Sequence, residues 1–161
     1  MSGETIKDRP LDLAAFTPYR LVVLARAMSE QLGALYESEG LTIPEWRVLA
    51  VVSQAPSIAA RDVVARTPMD KMAVSRAVAT LEEKGLIARA PAVDRRVSSL
   101  RLAAKGRTVF DSVSAIALRY EAALLHTLGD EERRAFLAGL KALELAVAAR
   151  ACENATPQAA E

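Results

Sequence analysis

The 161-residue sequence predicts a mainly α fold carrying one small β-hairpin. Three observations predict it. Ala and Leu abound while aromatics make up only 4% of the chain, a composition that favours helix. Apolar residues recur at i, i+3, i+4 and i+7 along most of the chain, the spacing of a buried helical stripe. Only between residues 86 and 102 does the period shorten to that of a strand.

Residues 1–16 carry mixed charge and Pro10 and read as an N-terminal arm. A helix is expected over 17–39. Pro18 suits its first turn, Leu21, Leu24, Ala25, Met28, Leu32, Leu35 and Tyr36 form its stripe, and Gly40 ends it. Thr42-Ile43-Pro44-Glu45 starts the next helix. Its Thr-x-x-Glu spacing matches a capping box, although Pro44 at the first helical position with Ile43 as cap fits as well. Trp46, Leu49, Ala50 and Val52 are its expected inner face. Gln54 to Ser57 breaks it, and Ser57 is placed as the cap of a short helix from Ile58 to Arg66.

Thr67-Pro68-Met69 then leads tightly into a helix over 70–84. Asp70 is its N-cap, Val74, Ala77, Val78 and Leu81 its buried stripe, and Gly85 the left-handed residue that stops it. Short helix, turn and capped helix make a helix-turn-helix. Strands at 86–90 and 97–102, joined by a turn holding Asp94, Arg95 and Arg96, form a β-hairpin wing. A helix follows over 103–128, with Val109, Phe110, Val113, Ile116, Ala117, Tyr120, Leu124 and Leu128 facing inward. Acidic residues 130–132 open a last helix to Arg150, striped by Phe136, Leu137, Leu140, Leu143 and Val147, with a frayed tail over 151–161.

Net charge is +1, but it is unevenly spread. Residues 61–107 hold eleven Lys and Arg against five Asp and Glu, or +6; the remainder holds ten against fifteen, or −5. The cationic excess coincides with the helix-turn-helix and the wing, the footprint expected for a polyanion such as double-stranded DNA. On the outer face of the 70–84 helix, Arg76 suits guanine O6 and N7 in the major groove. Ser75 and Thr80 suit phosphate or base edges, and Lys71 suits phosphate. Arg95 and Arg96 suit a minor groove, whose potential attracts arginine. Ser57 and Arg61 are placed to position the backbone.

Other classes find no support in the sequence. It has no Gly-rich phosphate loop, no Gly-x-Ser-x-Gly and no ligand cluster for a metal, so neither an enzyme nor a cofactor is expected. One cysteine, Cys152, permits no disulfide within the chain and fits the cytoplasm. No apolar run suits a membrane span or a signal peptide.

The run VSRAVATLEEKGLIAR followed by DRRVSSLRLAAKG, within this helix order, resembles the MarR (multiple antibiotic resistance regulator) family of bacterial winged helix-turn-helix transcription factors. The likeness spans residues 17–148. It implies a homodimer, with 17–40 and 103–150 as the dimerisation region and 41–102 as the DNA-binding lobe, bound to a pseudo-palindromic operator. It places Ser75 and Arg76 on DNA and makes Asp94 a support of the wing. It also implies a repressor released by a small aromatic or phenolic effector. Phe16, Tyr19, Met28, Tyr36, Trp46 and Arg47 are candidates to line the effector site, with Tyr120 and His126 behind them; Arg47 would pair a carboxylate. The family's Leu-Thr before Lys-Gly is Leu102-Ala103 here, so the next helix lacks its threonine cap and a frayed start is expected. A winged-helix protein-interaction module without a DNA target is the alternative.

Overall fold

A computed structural model describes residues 10–90 and 99–155, with backbone alone for Ala90 and 152–155. The elements are α1 (Thr17–Leu35), a 3-10 turn (Glu37–Glu39), α2 (Ile43–Val52), β1 (Ile58–Ala59), α3 (Ala60–Arg66), α4 (Lys71–Glu83), β2 (Ile87–Ala90), β3 (Ser99–Leu102), α5 (Ala104–His126) and α6 (Asp130–Ala155). This is the mainly α, winged architecture expected. By contact density the chain divides into two units, one ending at Ala117 and the other starting at Leu118.

The local signals act where the sequence puts them. Thr42 and Glu45 form the full capping box: Glu45 N–H donates to Thr42 Oγ1 at 3.4 Å and Thr42 N–H to Glu45 Oε2 at 2.8 Å. That resolves the two caps in favour of Thr42. Ala73 N–H donates to Asp70 Oδ1 at 2.7 Å at the head of α4. Gly40 and Gly85 take φ of 70° and 68°, the left-handed conformation an L side chain resists.

Several expectations are corrected. Helix α1 ends at Leu35, and the 3-10 turn fills the gap to Gly40. Ser57 caps nothing: Ile58 and Ala59 form a strand, and α3 starts after an Ala59 cap with no side-chain bond. Ile58 pairs with Leu100 and Ala59 with Ser99, so the hairpin becomes a three-stranded antiparallel sheet in the order β1-β3-β2. A two-residue strand has no period to read; it exists because β3 offers it an edge. In α2 the buried residues are Glu45, Val48, Leu49 and Val52, while Trp46 and Ala50 are half-buried. Helix α6 runs past Arg150 to Ala155, so part of the expected tail is helical and the rest lies outside the described residues.

The core gathers Val48, Leu49 and Val52 of α2, Val63 of α3, the α4 stripe, Ile58, Leu86, Ile87 and Leu100 around the sheet, and Val113 of α5. Helix α5 starts without the threonine cap, yet it is held. Ala103 N–H donates to Leu86 O at 3.0 Å, and Lys105 Nζ donates to Lys84 O at 3.1 Å. Gly106 packs on Leu86 so closely that an added Cβ would run into the Leu86 carbonyl. Backbone docking replaces the missing cap, which corrects the expectation of a frayed start.

Candidate nucleic-acid interface

Helix α4 buries Val74, Ala77, Val78 and Leu81 and so turns the opposite face outward. That face divides into two flanks and a ridge. One flank borders a groove of about 440 Å³ lined by Lys71, Ser75, Arg61, Arg89 and Leu100 among others. The other borders a groove of about 280 Å³ lined by Arg76, Thr80, Ala73, Thr42 and Pro44 among others. Met72 and Ala79 line neither groove; both are exposed, on the ridge between. The four expected readers are therefore split, Lys71 and Ser75 on one side, Arg76 and Thr80 on the other.

Each remaining candidate has a definite place or lies outside the described residues. Arg61 is exposed, its Nε 3.7 Å from Asp62 Oδ1. Ser57 is exposed in the bend before β1. Thr80 is half-buried and its hydroxyl donates to Arg76 O at 3.1 Å, which leaves the oxygen's lone pairs as its outward chemistry. Asp94, Arg95 and Arg96 lie outside the described residues; the segment that holds them joins the register pair Ala90 and Ser99.

Three residues escaped the sequence reading. Met72 is on the ridge. Arg89, on β2, faces the first groove and holds Glu82 at the end of α4, Nε to Oε1 at 3.0 Å. Lys84 donates from Nζ to Glu45 Oε2 and to Gly40 O, each at 2.8 Å. Glu45 is 5% exposed. Burial alone would raise its carboxyl, but hydrogen bonds from Lys84 and Thr42 and the Lys84 charge outweigh it and hold the group below its ordinary value. Lys84 thus fixes the end of α4 to the start of α2. The two residues are 39 positions apart and only the fold brings them together, so no local pattern announces the pair.

The residues expected to line an effector site are not gathered in one place. Tyr36 is 1% exposed and meets Trp46 at a tilt of 46° with ring centroids 5.9 Å apart, and Trp46 stacks in turn on Phe110 at 5.8 Å. Burial raises the Tyr36 phenol, and the Arg47 charge works against that rise. Phe16 precedes α1 and Tyr36 follows it, about 30 Å apart at helical rise, so within one chain they cannot share a small cavity. Met28 is half-buried on α1, and Arg47 Nη2 donates to Ser29 Oγ at 3.1 Å rather than to a carboxylate. Tyr19 is exposed beside an apolar groove of Leu13, Val23 and Leu24. Tyr120 is half-buried and His126 is exposed. Among the described residues no group of three or more His, Cys, Asp or Glu could hold a metal, and no helix is long and apolar enough to cross a membrane.

Comparison with known proteins agrees with this geometry. A family profile described as the MarR family matches residues 39–97, from the last residue of the 3-10 turn into the wing. The HTH-type transcriptional repressor Rv2887 of Mycobacterium tuberculosis is 25% identical over 119 residues, 73% of this chain and 86% of that protein. A crystal structure of Rv2887 in complex with salicylic acid superimposes with a TM-score of 0.66 at 26% identity, covering 84% of this chain and 97% of that one. A MarR/EmrR family regulator from Acinetobacter sp. ADP1 gives 0.74 at 26% identity, covering 85% and 98%. The capped α4, its three-stranded wing sheet and these matches converge: residues 39–97 carry the MarR-family match, and the fold is that of MarR-family winged helix-turn-helix transcriptional regulators.

Proposed function

We propose that the chain binds operator DNA as a homodimer and represses transcription until a small aromatic acid releases it. The observation that carries the DNA half is the outer face of α4. Its N-terminal end is capped and bears Lys71, Ser75 and Arg76, and Arg61 and Arg89 line the flanking groove. A helix of this width fits a major groove, with cations on its flanks meeting phosphates and Arg76 meeting a base edge. Arg95 and Arg96 of the wing take the neighbouring minor groove, with Asp94 bracing them, and Ser57 sits beside the backbone. In this reading residues 41–102 are the DNA-binding lobe, and 17–40 with 103–150 form the dimer.

The dimer rests on uncovered apolar surface. Leu21, Val22, Val23 and Leu24 of α1 are exposed, as are Phe136, Leu140, Leu143 and Val147, which share one face of α6. The release half rests on Arg47 beside Trp46 and on the salicylic acid complex of Rv2887. Arg47 is the cation for the carboxylate; Trp46 and Met28 offer apolar contact. Tyr36 is a wall of the core behind them rather than a contact.

The test is retention of the full chain on random-sequence duplexes in rising salt, followed by selection of a preferred sequence. DNA binding predicts a steep fall of affinity with salt and an enriched pseudo-palindrome. Arg76→Ala should weaken the selected sequence more than random duplex. Retention that ignores salt, with no enriched sequence, would support the protein-interaction alternative instead.

A further inference from the structure

Met72 is the anomaly of the lobe. From Tyr36 to Ala117 it is the one exposed large hydrophobic side chain among the described residues, at 64%. Every other large apolar residue described in that span is buried or half-buried. The other exposed large apolar side chains belong to the arm, α1, α6 and the second half of α5. Met72 is the one large apolar side chain exposed on the outer face of α4, among Lys71, Ser75 and Arg76, with only the small Ala79 beside it on the ridge.

Its position along the ridge is also informative. Met72 is the second residue of α4, one place beyond Lys71 and one helical turn before Arg76. The other end of the ridge carries exposed Glu83. A phosphate-lined groove repels that carboxylate, whereas at the other end the Asp70 carboxylate is engaged by Ala73 N–H, Lys71 stands beside it and the helix dipole is positive, so the N-terminal turn enters deepest. Ridge residues there face the groove floor, and the flanks face the two walls. In the major groove the one apolar group on the floor is the C5-methyl of thymine. A flexible, polarisable thioether is well suited to cover it.

Building on the DNA-binding reading above, we propose that Met72 is a specificity-determining residue that reads thymine through its C5-methyl group. Lys71 and Arg76 supply charge and hydrogen bonds to the walls; Met72 supplies the apolar contact between them.

The experiment first selects the chain's preferred duplex from a random library. Each thymine of that duplex is then replaced singly by deoxyuridine, which removes only the methyl group. At one thymine in each half-site the wild type should lose about fourfold in affinity, the worth of one buried methyl-sized group. Met72→Ala, which removes the contact in both half-sites of the dimer, should bind the thymine duplex about sixteenfold more weakly and be indifferent to the replacement, while Met72→Leu should keep the sensitivity. The proposal is overturned if no thymine shows a methyl dependence that Met72→Ala abolishes. Failure to enrich any sequence at all would instead bring down the DNA-binding reading and this one with it.

Discussion

The lobe between Leu41 and Leu102 and the terminal helix α6 are written in the same alphabet of Leu, Val and Ala, and they end in opposite conditions. In the lobe, Leu49, Leu81 and Leu100 are fully buried. In α6, Phe136, Leu137, Leu140, Leu143, Leu145 and Val147 are all 36–68% exposed. The difference lies in what surrounds each stripe. Lobe elements are short and joined by short connections, so their stripes meet one another within the chain. Helix α6 is 26 residues long, about 39 Å, and such a face needs a second surface of matching length. A helical stripe states that something must be covered; whether the cover comes from the same chain depends on connection length and not on the stripe.

The comparison can be broken at its weaker side first. Leu140→Glu with Leu143→Glu places two charges on the uncovered face of α6. Sedimentation should show the mass of two chains falling to one at micromolar concentration, and the midpoint of unfolding should lose its dependence on protein concentration. A double variant that sediments as the wild type would remove α6 from the proposed dimer interface. The next effect belongs to the lobe. Leu81→Ala should cost about 3 kcal/mol, as for other fully buried leucines. At 2–4 °C per kcal/mol for a chain of this size, the unfolding midpoint should drop by roughly 10 °C. The same change at Leu145, 63% exposed and off the Phe136–Val147 face, should shift it by far less.

The Lys84–Glu45 pair tests a polar element of the lobe. Lys84→Met leaves Glu45 buried without its cation and should cost about 1–2 kcal/mol, below the range for deeply buried pairs because Lys84 is partly in water. The sign with pH follows from the depressed Glu45 carboxyl. Its contribution is present above the ordinary value of 4.5 and is lost as pH falls through the lower folded value. A stability profile from pH 6 to pH 3 should therefore descend in the wild type and be flatter in Glu45→Gln; identical slopes would show the pair to be silent. Least should happen at Arg26→Ala on α1, whose ion pair with Glu30 is exposed on both sides, and no shift of the midpoint is expected.

Legibility followed range along the chain. Asp70 and Gly85 act within one helical turn and could be read from their neighbours, and Thr42 with Glu45 was one of the two caps that the same local pattern offered. The α4 stripe and the pairing of β2 with β3 were equally plain, since period and turn lie within a few residues. What could not be read was joined from afar. Strand β1 exists only through Leu100 and Ser99. Trp46 meets Phe110 across 64 positions, a packing contact that no local pattern announces. Met72 was overlooked for another reason. A search for polar readers passes over an apolar residue, and only its isolation at the surface singles it out.

The way α5 begins has a mechanical consequence. Its first turn is joined to Leu86 by the Ala103 amide and the bare backbone of Gly106, and to Lys84 by Lys105. Lys84 and Leu86 flank Gly85, the residue that ends the segment carrying α4, and Lys84 also grips Gly40 and Glu45. The root of α5 and the tail of α4 are thus keyed like a gear to its shaft. A displacement of that root reaches the tail of α4 through backbone contact at Leu86 rather than through flexible side chains alone.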